Sequence, residues 1–163
     1  MLDLAKYESG TYKMKMELFP LDVVIKQICE KLQPEIESKQ LHLHTELVPI
    51  KVVANQLRIE QVLVNFLTNA IRYTPDGETI MISIGAEQDM AIVCIENKGA
   101  HIQEEHLEKI WDRFYRGESS RHRSTGGTGL GLAISKKILE LHDVPYGVFN
   151  TEDGVMFYFH LHK

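Results

Sequence analysis

The run Gly126-Gly127-Thr128-Gly129-Leu130-Gly131-Leu132 leads directly into an amphipathic stretch that begins near Leu130. Free N–H groups and the dipole at such a helix start make an anion site. Two familiar phosphate loops are excluded. Gly126 and Gly131 have P-loop spacing, but Leu132-Ala133 stands where Lys followed by Ser or Thr is required. The dinucleotide-binding fingerprint fails too. Leu132 occupies its third glycine position, and the preceding Arg121-His122-Arg123-Ser124-Thr125 does not read as a strand. The run is a phosphate loop of another kind.

A second set of groups lies between Asn55 and Tyr73. Val62, Leu63, Phe66, Leu67 and Ala70 form an apolar helical face, while Arg58, Gln61, Asn65, Asn69 and Arg72 recur at three- and four-residue steps on another. Asn is a poor mid-helix residue, because its amide competes for backbone hydrogen bonds. An amide oxygen is a hard ligand suited to Mg²⁺, and an amide NH₂ donates to phosphate oxygens. Arg72 adds charge-assisted bonds to the same phosphates. A solvated helix face has the same pattern, and the stripe alone does not separate the two readings. Further on, a strand ends in Asn97-Lys98-Gly99. A short polar residue at a strand end can read a ligand edge, and Gly99 allows close backbone approach. Alone, this segment reads equally as an ordinary turn.

These groups need elements to hold them. Leu2–Ser9 reads as the tail of a helix stopped by Gly10, and Tyr12–Phe19 as a half-exposed strand ended by Pro20. Asp22 is placed to cap a helix running to about Lys39, with Val23, Ile25, Ile28, Cys29, Leu32 and Ile36 on its core side and a break at Pro34. Leu41–Leu47 alternates as a strand. Asn55 caps the helix to Tyr73, and Thr74-Pro75-Asp76-Gly77 is a turn. Thr79–Ala86 and Met90–Glu96 form a hairpin, Gln103–Trp111 a short helix, and Arg116–Thr128 a mobile polar loop. A helix over Leu130–His142 and strands near Val148 and Val155–His160 close the chain. Helices interleaved with hairpins predict helices on one face of a mixed sheet.

The bulk properties narrow the classes. The chain has 163 residues, 44% hydrophobic and 25% charged, which is one domain with an ordinary core. A formal charge of −5 leaves no basic surplus for nucleic acid. Cys29 and Cys94 lack metal-ligand spacing and read as reduced core thiols. No apolar run is long enough to span a membrane.

Taken in order, these segments resemble the catalytic ATP-binding domain of sensor histidine kinases, within the gyrase–Hsp90–histidine kinase–MutL superfamily. Asn55–Tyr73 is similar to the family's N box and Ile95-Glu96-Asn97-Lys98-Gly99 to its G1 box. Trp111-Asp112-Arg113-Phe114-Tyr115-Arg116 resembles the F box, and Gly127–Leu132 the G2 box. The resemblance implies an α+β fold of Bergerat type. This is an α/β sandwich with a mixed, mostly antiparallel sheet and helices packed on one face. It implies a tail of the dimerisation helix over residues 1–10 and the catalytic domain over residues 11–163.

By position, the resemblance makes Asn65 the Mg²⁺ ligand, and Asn69 and Arg72 the phosphate contacts. Tyr73 would lie against the adenine of ATP, and Asn97 would read its amino group beside Gly99 and Ile102. Residues 116–128 would be the ATP lid, with Phe114 anchoring its start. Thr128, Gly129, Leu130, Gly131 and Leu132 would close it over the phosphates.

The chain departs from the family at Asn97, where Asp is usual, and at His101, where a second glycine often stands. Both departures predict weaker adenine binding. Asp143-Val144 replaces a common Gly-Gly. Gln61 stands where hydrolysing branches carry a Glu, and Gln cannot act as a general base. Glu60 lies about 100° round the helix and is expected to point elsewhere. This favours transfer to a protein nucleophile over hydrolysis.

None of the eight histidines has the family's phosphoacceptor setting. His142-Asp143 comes nearest and reads as a surface or helix-end residue, and His42, His44, His160 and His162 as solvent-facing. The phosphoacceptor is expected on a dimerisation domain N-terminal to Met1. The implied partners are ATP, that domain and a cognate response regulator. The fragment is expected to be monomeric. The full protein is expected to be a homodimer, with this domain on the cytoplasmic side of a plasma-membrane receptor.

Overall fold

Local chemistry sets the first elements. The computed structural model describes residues 14–112 and 131–163. Strand β1 (Glu17–Pro20) runs into helix α1 (Leu21–Lys31), and helix α2 (Gln33–Ser38) follows. Pro34 lies in the first turn of α2, where a missing N–H costs nothing, so the expected long helix is split there. Leu21, Val24, Ile25, Ile28 and Leu32 recur at helical spacing and are buried, as is Ile36 on α2.

Two details differ from the sequence reading. Val23 is exposed and Val24 takes its place in the core, because the helix begins at Leu21 and sets its face from there. Asp22 is not the N-cap, which is Pro20 without a side-chain bond. Its carboxylate instead accepts from the Ile50 N–H at 3.2 Å and ties α1 to a distant segment.

Strands β2 (His42–Glu46) and β3 (Lys51–Ala54) precede helix α3 (Gln56–Tyr73). The sequence pattern does not announce β3, which is only four residues long and followed at once by the helix cap. Strands β4 (Thr79–Ala86) and β5 (Met90–Lys98) form the expected hairpin, with β5 extending two residues past Glu96. Two short 3-10 turns, Glu104–His106 and Lys109–Trp111, stand in place of the single expected helix. Helix α4 (Gly131–Leu141) and strands β6 (Tyr146–Asn150) and β7 (Gly154–His162) complete the described chain. Residues 1–10, Tyr12, Phe114, the lid segment 116–128 and Thr128, Gly129 and Leu130 lie outside the described residues.

The strands form one sheet in the order β1-β3-β7-β5-β4-β2, with β6 also paired to β7. Among the described strands only β2 and β4 pair in parallel, and the other pairings are antiparallel. Strict alternation separates the faces. Ile80, Ile82 and Ile84 on β4, Val93 and Ile95 on β5, and Phe157 and Phe159 on β7 are buried beneath the helices. Phe66 of α3 sits among Trp111, Phe157 and Phe159, with ring centroids 5.3–6.0 Å apart. This aromatic cluster fixes α3 on the centre of the sheet.

Candidate functional site

Both ends of α3 are tied down. At its start, Asn55 Oδ1 accepts from the Arg58 N–H at 3.0 Å, and Asn55 Nδ2 donates to the Lys15 carbonyl. The Asn55 backbone N–H donates to Nε2 of His142 at 3.1 Å. The sequence reading makes His142 a surface or helix-end residue; it does follow the last residue of α4, but it is buried, at 5% exposed. Its other nitrogen donates to the Ile138 carbonyl, so the ring is a neutral strut between α4 and α3. Burial pushes its pKa below the ordinary 6.5, with the Ile138 carbonyl partly offsetting this. At the far end of α3, Lys39 Nζ donates to the carbonyls of Ile71 and Arg72 at 2.7 and 3.2 Å. A cation there also favours the helix dipole.

Arg58, Gln61, Asn65, Asn69 and Arg72 share the flank of α3 away from the sheet, and all are half-buried. Glu60 accepts from Gln56 one turn back, and so faces that side chain. Asn65 meets the start of α4. Its Nδ2 donates to the Gly131 carbonyl and to Ser135 Oγ, both at 3.0 Å, while Ser135 Oγ also donates to the Gly131 carbonyl at 2.9 Å. A carbonyl can only accept, so this contact fixes which way the amide faces. Both bonds use the nitrogen, which leaves Oδ1 as the group to receive a cation or donor. Ser135 is fully buried. Sequence reasoning missed it, though a lone hydroxyl among Ala133, Ile134, Ile138 and Leu139 was a usable signal.

At the other end of α3, the backbone around Gly99 packs against the turn after Tyr73. A Cβ on Gly99 would lie 3.1 Å from Pro75 Cδ and 3.4 Å from the Tyr73 carbonyl, and Gly99 has φ of +149°. Only glycine suits this position. Asn97 continues the buried face of β5 after Val93 and Ile95, and is 4% exposed. It is therefore a polar side chain at the end of an apolar row, on the helix side of the sheet.

Beyond Lys98 the strand ladder ends, and Asn150 takes over. Its Oδ1 accepts from the Ile102 N–H at 2.9 Å, and its Nδ2 donates to the Ile102 carbonyl at 2.7 Å. Sequence reasoning missed Asn150 as well, because Asn150-Thr151-Glu152-Asp153-Gly154 has the composition of any turn.

The remaining reactive groups do not join this site. Cys29 is buried, and burial, then Glu30, pushes its thiol up to about 11. Cys94 is only half-buried on the outer sheet face, not in the core as expected, and burial raises its pKa as well. His42, His44 and His162 are exposed and His160 is half-buried. Among the described residues, no cluster of three or more His, Cys, Asp or Glu side chains is placed to hold a metal ion. No described helix is long and apolar enough to cross a membrane.

Comparison with known proteins follows the same lines. The family model for histidine kinase-, DNA gyrase B-, and HSP90-like ATPases matches residues 54–163. The sensor histidine kinase CusS of Escherichia coli (strain K12) is 32% identical over 157 residues, covering 96% of this chain and 33% of CusS. The catalytic domain of histidine kinase ThkA superposes with a TM-score of 0.83 at 31% identity, covering 92% of this chain and 97% of that one. A structure of ThkA in complex with response regulator protein TrrA matches with a TM-score of 0.81 at 26% identity, covering 98% of this chain and 46% of that one. The chain spans between 24% and 33% of the length of the curated relatives it matches.

Proposed function

This chain belongs to the histidine kinase-, DNA gyrase B-, and HSP90-like ATPase family, and we propose that it is the ATP-binding catalytic domain of a sensor histidine kinase. In this reading it binds Mg²⁺–ATP and directs the γ-phosphate to a histidine on a separate helical domain, for relay to a response regulator. One observation carries the reading: the Asn65 amide, held through its nitrogen by Gly131 and Ser135, presents its oxygen where the polar flank of α3 meets the start of α4.

Asn65 Oδ1 is the Mg²⁺ ligand in this proposal. Mg²⁺ commonly takes one or two protein oxygens, with substrate phosphates and waters completing its shell. When bound, the ion supplies positive charge to the phosphates. Asn69 donates to phosphate oxygens, and Arg72 adds its guanidinium. Gly131 and Leu132 at the start of α4 offer N–H groups to the phosphates. Catalysis is positioning and electrostatic stabilisation of an in-line transfer.

Tyr73 and Asn97 form the base end with Gly99 and Ile102. Asn65 and Tyr73 are eight residues apart on α3, about 12 Å along the helix. That separation is comparable with an extended nucleoside triphosphate. Gln61 cannot activate water, and Glu60 is engaged with Gln56, so transfer is favoured over hydrolysis.

The phosphoacceptor sits on a separate dimerisation domain. The fragment is a monomer, and the full protein is a homodimeric membrane receptor with this domain on the cytoplasmic side, where ATP is found. ThkA, which is known in complex with a response regulator, supports a like partner here.

The test is thermal unfolding with a non-hydrolysable ATP analogue. Analogue with Mg²⁺ at 100 times its dissociation constant should add about 2.7 kcal/mol of stability. Chelating Mg²⁺ should remove most of that gain. A gain indifferent to Mg²⁺ would remove Asn65 from its assigned role.

A further inference from the structure

We propose that the β6–β7 turn, Asn150 above all, is the positioning device of the base end, holding the segment Asn97–Ile102 in the shape that receives the nucleobase. The inference rests on the assignment of that segment to the base.

Four residues of the turn meet it. Gly154 lies directly under Asn97, where an added Cβ would stand 1.9 Å from the Asn97 carbonyl oxygen. Asp153 pairs with Lys98 at 2.9 Å, and its carbonyl accepts from the Gly99 N–H at 3.0 Å. The Thr151 carbonyl accepts from His101 Nε2 at 2.6 Å. Asn150 closes the set with its two bonds to Ile102.

The need for such a device follows from the backbone. After Lys98, residues 99–103 have no strand or helix partner of their own. A segment without a ladder holds one shape only if other groups satisfy its N–H and C=O. An Asn side chain is a peptide-like amide, with donor and acceptor side by side. At position 150 it takes the place of the missing strand. Asp lacks the donor, and Ala lacks both groups. His101 gains a meaning here as well. Its ring is a strut to Thr151, so at this position, where the sequence pattern predicted weaker adenine binding, the loss of the family's glycine instead adds a fastening to the loop.

The fold does not depend on Asn150. The β6–β7 register is carried by main-chain bonds, including the pair Asn150–Val155 and the Thr151 N–H to the Gly154 carbonyl at 2.8 Å. Replacing the amide should therefore loosen the base end and spare the sheet.

The experiment measures calorimetric dissociation constants of this chain for Mg²⁺–ATP and for Mg²⁺–tripolyphosphate, which carries phosphates and no base. Asn150→Ala should weaken ATP binding about tenfold, as two lost hydrogen bonds imply, and Asn150→Asp by a similar factor, since it keeps the Ile102 N–H bond but sets a carboxylate oxygen against the Ile102 carbonyl. Tripolyphosphate affinity should stay within about twofold in both variants, since the phosphate end is untouched. Equal weakening of both ligands would mean general loosening and would overturn the inference, as would unchanged ATP binding. If tripolyphosphate already binds wild-type protein as tightly as ATP, the base assignment itself fails. A wild-type preference for ATP that survives intact in Asn150→Ala rejects the inference alone. Should that variant not fold, His101→Ala at the exposed strut is measured instead. It should cost ATP about threefold and tripolyphosphate nothing, and any other pattern overturns the proposal.

Discussion

Replacing Asn65 by Asp changes one NH₂ group into an oxygen and tests the phosphate end with little change of shape. In the wild type, that NH₂ donates to the Gly131 carbonyl and to Ser135 Oγ, both at 3.0 Å. An ionised carboxylate in its place would set an anionic oxygen against the Gly131 carbonyl oxygen. The two lost bonds are worth about 1 kcal/mol each. Turning an attraction into a repulsion at a half-buried site adds about 1 kcal/mol more. The expected loss of stability is about 3 kcal/mol, or roughly 6–12 °C for a domain of this size. Asn65→Ala, which loses the bonds without the repulsion, should cost about 2 kcal/mol.

The side chain is also expected to turn away from Gly131, so Oδ1 no longer faces the start of α4. The Mg²⁺-dependent part of ATP-analogue stabilisation should then fall by more than half, despite the added negative charge. Thermal unfolding with and without analogue, each with Mg²⁺ and with chelator, reads both effects. An Asp variant that melts at the wild-type temperature and keeps the full Mg²⁺-dependent gain would refute the reasoning.

His142 predicts a pH dependence. Its folded pKa lies below the ordinary 6.5, so the unfolded chain binds the proton first as pH falls. The stability it contributes is complete above about pH 6.5 and is lost as pH drops through the depressed folded value, by at most about 1.4 kcal/mol per pH unit. Urea unfolding between about pH 5 and 7.5 should show this slope, and His142→Gln should flatten it; an unchanged slope removes His142 as its source. Gly154→Ala forces a Cβ against the Asn97 carbonyl and should destabilise by about 3 kcal/mol or more, read from the denaturant midpoint. A midpoint equal to wild type would mean that the β6–β7 turn yields easily. Gln61→Glu should raise steady phosphate release from ATP by about a hundredfold or more, on the usual scale of general-base catalysis. No rise would place Gln61 away from the attacking water.

The elements that sequence periodicity located share one property: local chemistry specifies them. Asn55 caps α3 through its own side chain, and seven buried residues repeat along that helix at helical spacing. The β4–β5 hairpin alternates cleanly, and Pro34 marks the break between α1 and α2. What escaped depends on contacts distant in sequence. Asp22 bonds to Ile50, not to its own helix. His142 is buried because it reaches Asn55, 87 residues earlier. Strand β3 exists through its partners β1 and β7, since four residues carry too little pattern. Ser135 and Asn150 look like an ordinary helix serine and an ordinary turn asparagine until the chain folds. The polar stripe on α3 was visible in sequence as a stripe. Its half-burial, and the meeting of Asn65 with Gly131, were not.

In the proposed function this chain presents ATP to a histidine held elsewhere. The direct measurement incubates it with γ-labelled ATP, Mg²⁺ and a separate helical hairpin bearing a phosphoacceptor histidine. Label is expected on the hairpin, lost in acid and kept in alkali, as a phosphohistidine behaves, with little free phosphate released when the hairpin is absent. Steady phosphate release by the chain alone, or ATP binding with no label transferred to a hairpin of any related kinase, would contradict it.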